Sequence, residues 1–300
     1  MHRPSIANIP AERIGAMRCG VGESPIWHPA EQALYWTDIP GRTLWRWRPA
    51  DSQIAQWALP EQAGCIAMRQ EGWLLAMETG IHELPALHAG QPAPTPRRLA
   101  TVRHAAPAMR FNDGRCDRQG RFWAGTMVQD TALAQPHGRL YRYAGGRMDS
   151  PVDDGLIVSN GMAFSPDGTI MYLSDSHGSR QVVWAYDYDV DTGLPHRRRV
   201  FIPSLPAGRP DGAAVDADGC YWICGNEAGL IYRYTPDGRL DRTLSVPVPR
   251  VAMCAFGDSD LSTLFVTSIR APGTPGEALD GAVYALRPGV RGLPETIHAG

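Results

Sequence analysis

The feature that most constrains the fold of this chain is a strand-like segment that recurs at nearly regular intervals. Short runs of apolar, aromatic and β-branched residues return every ~40 to 50 residues, the period typical of a four-stranded propeller blade. Glycine (32 residues) and proline (26 residues) separate these runs, and no long stretch keeps the i, i+3, i+4 spacing of an amphipathic helix. The runs read ALYWTDI, GWLLAM, GRFWAGTM, IMYLSDS, CYWICG and TLFVTSI.

Most of these runs are followed by a second strand-like segment, such as TLWRWRP, GRLYRYAGG, VVWAYDYD, LIYRYTPDG or GAVYALRPG. Six such units fill the 300 residues without an obvious linker. We therefore predict a single domain over residues 1–300, an all-β six-bladed β-propeller whose four-stranded blades surround a central channel. A two-sheet β-sandwich is the alternative fold that the same pattern leaves open.

Composition excludes several classes of function. With 43% hydrophobic residues the chain can bury a large core, and a net charge of -2 argues against the basic surface of a nucleic-acid-binding protein. All 29 basic residues are arginine. Neither a Schiff-base lysine nor the lysine of a phosphate-binding loop is therefore available.

The cysteines and the N-terminal segment indicate a reducing compartment. The 6 cysteines form no C-x-x-C pair, which predicts free thiols rather than a disulfide framework or a zinc site. The first residues, MHRPSIANIPAER, lack the apolar segment of a signal peptide, and no apolar run approaches the ~18 residues of a membrane span. We expect a cytoplasmic protein with no membrane or nucleic-acid partner, and we favour a monomer.

Polar residues occupy one recurring position in several of the units. Each apolar run follows a turn, in most units rich in Asp, Pro and Gly, and we compared the residue five positions before each turn. Five residues make a strand about 16 Å long, so this position lies at one mouth of the predicted channel. It holds, in order, Glu23, Gly64, Asn112, Asn160, Asp211 and Ala252.

Two carboxylates and two amides that converge on one axis favour a bound cation. Carboxylates held close together repel each other, and a cation relieves that repulsion. Oxygen donors suit Ca²⁺, Mg²⁺ or Mn²⁺, and so few protein ligands leave positions open for water or substrate. The channel is therefore predicted to hold a metal ion. The alternative is that each side chain only caps a strand end by accepting hydrogen bonds from backbone N–H groups.

Several long motifs resemble the senescence-marker-protein, regucalcin and gluconolactonase family. The match runs nearly the length of the chain, and the combination of RFNDG, a downstream GTM, SNG and PDG is specific. The longer motifs include GESPIWHPAEQALYWTDI, RFNDGRCDRQGRFWAGTM and SNGMAFSPDGTIMYLSDS. This resemblance implies a six-bladed propeller that hydrolyses a small-molecule sugar lactone to its aldonic acid with one divalent cation, Ca²⁺, Zn²⁺, Mn²⁺ or Mg²⁺.

The resemblance implies that three of the ring residues, Glu23, Asn160 and Asp211, are the metal ligands. A cation held there would polarise the lactone carbonyl and activate a water molecule. Asp211 is also the candidate general base. Whether Asp211 or the cation alone activates the water stays open, because a metal-bound carboxylate is a weaker base.

The resemblance also places three residues beside the substrate, namely Arg110, Asn112 and Asp130. Arg110 offers a fixed fork of donors to hydroxyls or to the carboxylate product. Asp130 is one methylene shorter than the Glu of animal members, which predicts a different substrate preference. Asp113 should point away from Asn112 by strand alternation and should hold backbone rather than substrate.

Two other functions remain compatible with the sequence. One is a phosphotriesterase-type hydrolase on the same propeller, because one fold hosts many chemistries. The other is a non-enzymatic calcium-binding propeller, in which the ring binds metal only to fasten the channel.

Overall fold

The computed structural model is built from β-strands arranged in six sheets around a channel. It describes residues 6–7, 9–271, 273 and 279–300, and in these residues the only helix is a single 3-10 turn, Thr131–Leu133. The innermost strand of each sheet packs against the innermost strands of the two neighbouring sheets, and the sixth returns to the first. This arrangement confirms the six-bladed propeller and excludes the β-sandwich.

The blades follow one another along the chain. Blade 1 contains β3–β6, blade 2 β7–β10, blade 3 β11–β14, blade 4 β15–β18, blade 5 β19–β22 and blade 6 β23–β25. The strands are β1 (Ile6–Ala7), β2 (Glu12–Ile14), β3 (Gly22–His28), β4 (Ala33–Asp38), β5 (Thr43–Arg48), β6 (Gln53–Ala58), β7 (Ala63–Met68), β8 (Trp73–Met77), β9 (Gly80–Leu84), β10 (Arg97–Thr101), β11 (Met109–Cys116), β12 (Phe122–Val128), β13 (Gly138–Ala144), β14 (Arg147–Leu156), β15 (Ser159–Phe164), β16 (Ile170–Asp175), β17 (Val182–Asp189), β18 (Leu194–Ile202), β19 (Arg209–Val215), β20 (Tyr221–Asn226), β21 (Leu230–Tyr234), β22 (Leu240–Ser245), β23 (Val251–Gly257), β24 (Thr263–Ser268) and β25 (Val283–Leu286).

The ring is closed by strands from both ends of the chain. Strand β2 completes blade 6 by antiparallel pairing with β25, with Glu12 opposite Ala285 and Ile14 opposite Val283. Strand β1 adds a fifth, parallel strand to the outside of blade 5. Each innermost strand is the inner edge of its sheet, the closed ring packs these edges around the channel, and the backbone hydrogen bonds of β2 and β25 hold that closure.

Aromatic side chains fill the spaces between blades, as their positions on strand faces predict. Tyr35 of blade 1 packs on Trp73 of blade 2 with ring centroids 4.4 Å apart, and Trp27 of blade 1 stacks on Phe265 of blade 6 at 5.7 Å. Such pairs contribute about 0.5–1.5 kcal/mol beyond the burial of their surface. The six apolar runs of the sequence are the second strands of the six blades, which lie within this packing.

The cysteines are free thiols, as the sequence analysis predicts. All six cysteines are free and buried. Within the described ranges, no helix has the length or the apolar character that crossing a bilayer would require.

Each innermost strand carries a β-bulge near its N-terminal end. The pairing register with the second strand shifts in all six blades, between Glu23/Ile26, Ala63/Cys65, Phe111/Gly114, Asn160/Ala163, Pro210/Ala213 and Val251/Cys254. A bulge inserts an unpaired residue and re-aims the side chains beside it. The bulges therefore define one end of the channel, which we call the mouth.

The C-terminal segment, residues 287–300, crosses the end of the channel opposite the mouth. Its backbone bonds to turns and strand ends of blades 5, 6, 2 and 3 in succession. The contacts are Arg291 O with Ala217 N, Gly292 N with Leu261 O, Ala299 N with Gly120 O and His298 N with Met68 O. The segment thereby covers that end of the channel and ties four blades together.

The ion pair between Arg115 on β11 and Glu295 in the C-terminal segment fixes this cover inside the channel. The two side chains approach to 3.4 Å and are 10% and 13% exposed. Removing one partner of a buried pair leaves an uncompensated charge, so we expect Glu295→Ala to lower the free energy of unfolding by about 3 kcal/mol. Chemical denaturation followed by circular dichroism measures this loss.

The matched control is Asp51→Ala, which removes a carboxylate from the exposed pair with Arg48. It should leave the melting temperature almost unchanged, because exposed ion pairs contribute little. Equal effects of Glu295→Ala and Asp51→Ala would show that the C-terminal pair does not hold the channel closed.

Candidate functional site

The structure brings four sequence-predicted residues together at the mouth, and we call them the mouth ring. Glu23, Asn112, Asn160 and Asp211 lie on the innermost strands of blades 1, 3, 4 and 5 and are only 4–7% exposed. Glu23 and Asn160 are the last paired residues before their bulges. Asn112 and Asp211 lie one residue later, inside the bulge. Turn spacing predicted the same strand position for all four residues, and the pairing register shows a difference of one residue between the two pairs.

Blades 2 and 6 carry small residues, Gly64 and Ala252, at the positions that correspond to the mouth ring. A Cβ atom at Gly64 would lie 2.3 Å from the carbonyl oxygen of Phe111 on the neighbouring blade. The absence of a side chain at Gly64 is therefore a packing requirement. Ala252 is fully buried in blade 6 and carries no polar atom toward the mouth.

A continuous chain of hydrogen bonds links the mouth-ring amides. Arg110 Nη1 donates to Asn112 Oδ1 at 2.7 Å, and Asn112 Nδ2 donates to Asn160 Oδ1 at 2.8 Å. Asn160 Nδ2 then donates to Ser176 Oγ at 2.7 Å, and the Ser176 hydroxyl donates to the carbonyl oxygen of Pro210. The chain runs from blade 3 through blade 4 to the residue that precedes Asp211.

The ends of this chain fix the orientation of both amides. A guanidinium can only donate, and a backbone carbonyl can only accept. Every bond between Arg110 and Pro210 must therefore run in the same direction, which turns the Asn160 carbonyl oxygen away from Ser176. Flipping either amide would set two donors or two acceptors against each other.

The two mouth-ring carboxylates are buried together. Burial raises the pKa of Glu23 well above its usual range, and the neighbouring carboxylates Asp211 and Asp113 raise it further. Burial likewise raises the pKa of Asp211 to about 7, although the Asn226 amide and the Arg209 charge oppose the shift. Without an added positive charge, the site disfavours the ionised form of both acids.

Asp211 has one oxygen occupied by the protein. Asn226 at the end of β20 donates from Nδ2 to Asp211 Oδ2 at 2.6 Å. No hydrogen bond to Asp211 Oδ1 is found among the described residues, so this oxygen is available to a ligand in the channel.

Asp113 holds backbone, which confirms the prediction from strand alternation. Its carboxylate accepts hydrogen bonds from Gly114 N and Met162 N, both at 2.8 Å. Burial raises the pKa of Asp113 to about 6. The side chain therefore joins the bulges of blades 3 and 4, which carry the two mouth-ring amides.

The predicted substrate residues lie at the mouth end of blade 3. Arg110 is half-buried and donates to the Phe111 carbonyl oxygen at 2.8 Å as well as to Asn112. Asp130 is exposed, and its Oδ1 caps the 3-10 turn by accepting from Ala132 N at 3.1 Å. Gln129 N bonds to Ala108 O at 2.9 Å, which holds the Asp130 loop beside the start of β11.

The donors of the mouth ring suit a hard divalent cation. Two buried carboxylates, of which Asp211 raises the pKa of Glu23, and an amide oxygen held by hydrogen bonds form an oxygen-only set. In the part of the chain that the structure describes, no three His, Cys, Asp or Glu side chains form a metal-binding group. A cation at the mouth would therefore depend on the amide oxygens in addition to Glu23 and Asp211.

Sequence reasoning missed Ser176 and Asn226, which orient Asn160 and Asp211. Both are polar residues at the ends of second strands, directly after the apolar runs IMYLSD and YWICG. These strand ends lie beside the mouth-ring strands. A polar residue at the end of a second strand could therefore have indicated a hydrogen-bond partner for a mouth-ring residue.

Comparisons with known proteins identify the family of the chain. Residues 21–270 match the family described as SMP-30/Gluconolactonase/LRE-like region. The chain is 38% identical to 6-deoxy-6-sulfogluconolactonase of Pseudomonas putida over 93% of its own length and 95% of that protein. It is 31% identical to human (Homo sapiens) regucalcin over 98% of this chain and all of that protein.

Solved structures of similar fold extend the comparison. A calcium-binding regucalcin from Agrobacterium tumefaciens superposes with a TM-score of 0.90 at 26% identity, covering 99% of both chains. A gluconolactonase from Xanthomonas campestris superposes with a TM-score of 0.69 at 22% identity, covering 95% of this chain and 96% of that one, which shows a shared fold.

The buried carboxylates generate a prediction about pH. A folded-state pKa raised above the unfolded value of about 4 means that the folded protein binds protons more tightly. The stability contributed by Asp211 and Asp113 is thus complete below about pH 4 and is lost as the pH rises toward about 7. In chelator, the melting temperature should therefore fall over this range, and it should fall less for Asp211→Asn. An equal pH slope for the two proteins would contradict the prediction.

Proposed function

Because the chain belongs to the SMP-30/gluconolactonase/LRE-like family, we propose that this lactonase hydrolyses a sugar lactone to the aldonic acid with one divalent cation at the mouth ring. The observation that carries the proposal is the convergence of two buried carboxylates and two oriented amides at one end of the channel. A small-molecule lactone is the substrate class that such a pocket admits.

We propose Glu23, Asn160 and Asp211 as the residues that hold the cation. A bound divalent cation polarises a carbonyl oxygen and lowers the pKa of water. Asn160 presents its carbonyl oxygen because the hydrogen-bond chain fixes its amide. Asp211 presents Oδ1 because Asn226 occupies Oδ2.

Asp211 is also the proposed general base. Lactone hydrolysis adds water to the acyl carbon, breaks the ring C–O bond and moves a proton from the water to the departing ring oxygen. The Asp211 carboxylate takes the proton from the attacking water through a lone pair that neither the cation nor Asn226 occupies, and the ring oxygen receives the proton as the bond breaks. Asn226 holds the carboxylate in place during both transfers.

We assign the contacts with the substrate to Arg110, Asn112 and Asp130. Both hydrogens of Asn112 Nδ2 are donated within the protein, to Ser159 O and Asn160 Oδ1. Asn112 Oδ1 keeps a second lone pair for a sugar hydroxyl. The remaining donors of the Arg110 fork bind hydroxyls or the product carboxylate, and Asp130 Oδ2 accepts a hydroxyl at the edge of the pocket.

The identity of the lactone requires a panel of substrates. Gluconate, galactonate, arabinonate and xylonate lactones differ in hydroxyl orientation, which the Asp130 loop contacts in this proposal. The Pseudomonas putida relative is named for a lactone with a sulfonate, so a sulfonated lactone belongs in the panel. A phosphotriester included beside these substrates tests the competing hydrolase function.

Removing a mouth-ring ligand should abolish the activity without unfolding the protein. We expect Asp211→Ala and Asn160→Ala to lower kcat/KM by more than about 100-fold, because even residues that only support a metal ligand contribute 10–100-fold. A pH-indicator assay measures turnover, and circular dichroism checks the fold. Asp237→Ala, in the exposed turn after β21, is the control expected to keep full activity. Wild-type turnover in both mouth-ring variants would remove the ring from the mechanism.

Metal removal provides a second test. Exhaustive chelation should abolish hydrolysis, and adding Ca²⁺, Mn²⁺ or Zn²⁺ should restore it, since the buried carboxylates need a positive charge to ionise. Full activity after chelation would exclude a metal-dependent reaction. A lower melting temperature after chelation, with no hydrolysis of any lactone before it, would instead favour a non-enzymatic metal-binding propeller.

A further inference from the structure

Arginine occupies one register position in three of the six blades. In each innermost strand we compare the residue that precedes the last paired position before the bulge. This residue is Arg110 in blade 3, Arg209 in blade 5 and Arg250 in blade 6. The other three blades hold Gly22, Gln62 and Ser159 at this position. At this register position, the positive charge therefore lies on blades 3, 5 and 6.

Arg110 and Arg209 lie on the same face of their strands as the mouth-ring residues Asn112 and Asp211. Side chains two positions apart lie on the same face of a strand, and Arg110 and Arg209 each precede a mouth-ring residue by two. The Arg110 bond to Asn112 Oδ1 shows this orientation directly. Arg209 lies opposite Asn226, the residue that holds Asp211.

The arginines of blades 5 and 6 are not fully used within the protein. Arg209 Nη2 pairs with Glu227 at 3.0 Å, but the Glu227 side chain is 51% exposed, and Arg209 Nε is buried without a hydrogen-bond partner. For the half-buried Arg250, no side-chain hydrogen bond or ion pair is found among the described residues. Arg110, by contrast, donates to two oxygens of its own strand.

A buried guanidinium N–H without an acceptor is costly unless a ligand supplies one. The planar fork of arginine matches the paired oxygens of carboxylates, sulfonates and phosphates, and such charge-assisted bonds are stronger than bonds to neutral hydroxyls. An oxyanion at the mouth would supply an acceptor for the Arg209 guanidinium, whose side chain is 32% exposed, and the charge of Arg250 on the adjacent blade would add to the attraction.

We propose that Arg209, assisted by Arg250, selects sugar lactones that carry a second, anionic group away from the lactone carbonyl. The shared chemistry is an oxyanion, which a sulfonate, a phosphate or a second carboxylate supplies. This inference rests on the proposed lactonase function and adds a specificity residue to the same pocket.

The test compares kcat and KM for matched neutral and anionic lactones. Wild-type protein is assayed with gluconolactone and with gluconolactones bearing a 6-sulfonate, a 6-phosphate or a 6-carboxylate. We expect higher kcat/KM on at least one anionic substrate, and the three anions separate the possible sources of the oxyanion. Arg209→Gln should lower kcat/KM on that substrate by about 10- to 100-fold more than on the neutral substrate, with the additional loss mainly in KM.

Three further variants sharpen the comparison. Arg209→Lys should recover only part of the loss, because a lysine keeps the charge but not the fork. Arg250→Gln should produce a smaller loss of the same selectivity. Arg42→Gln removes an equal charge from the exposed β4–β5 turn at the mouth end, and it should leave the preference intact.

The outcomes separate this proposal from the lactonase proposal. Equal wild-type kcat/KM on neutral and anionic lactones, or equal losses on both in Arg209→Gln, would overturn the role of Arg209 and leave the lactonase function standing. Loss of preference in Arg42→Gln would also overturn it, since general charge at the mouth would then suffice. Wild-type protein that hydrolyses no lactone would overturn the proposed function and this inference with it.

Discussion

Two carboxylates, Glu23 and Asp211, are held out of water at one end of a channel, and the rest of the structure maintains that unfavourable placement. Their burial raises both pKa values, which means that the folded protein resists ionising them. The closed ring of blades makes the placement possible, because the two side chains come from strands that are far apart in sequence. A cation at the mouth would relieve the repulsion between the two carboxylates and would be bound by both of them.

The bulges and the hydrogen-bond chain convert the ring of strands into an ordered site. A regular strand would alternate its side chains between the two faces, whereas the bulges bring Asn112 and Asp211 to the mouth one residue later than Glu23 and Asn160. Arg110 and the Pro210 carbonyl then fix the direction of every bond between them. Asp113 joins the two bulges from below, so the orientation of the amides and the packing of the blades depend on the same contacts.

Much of this arrangement could be predicted from the sequence, and the reason is local periodicity. The second strands and their turns recur at a regular interval, which predicted the blades and brought Glu23, Asn112, Asn160 and Asp211 to one end of the channel. The one-residue offset could not be predicted, because a bulge changes register without a distinct residue pattern. The support from Ser176 and Asn226 was missed because it depends on pairing between strands. The C-terminal segment has no apolar alternation, and its role follows only from distant contacts with four blades.

The closure of blade 6 also sets an order for events during synthesis. Strand β2 pairs with β25, which is synthesised only after the strands of blades 1 to 5. Until then the nascent ring is open, so Glu23 remains in water, apart from the strands that will enclose it. A growing chain can therefore assemble blades one after another, but the residues of the mouth ring come together only when their blades pack around the channel. Any cation that needs Glu23 and Asp211 together must therefore bind after blades 1 and 5 have come into place around the channel.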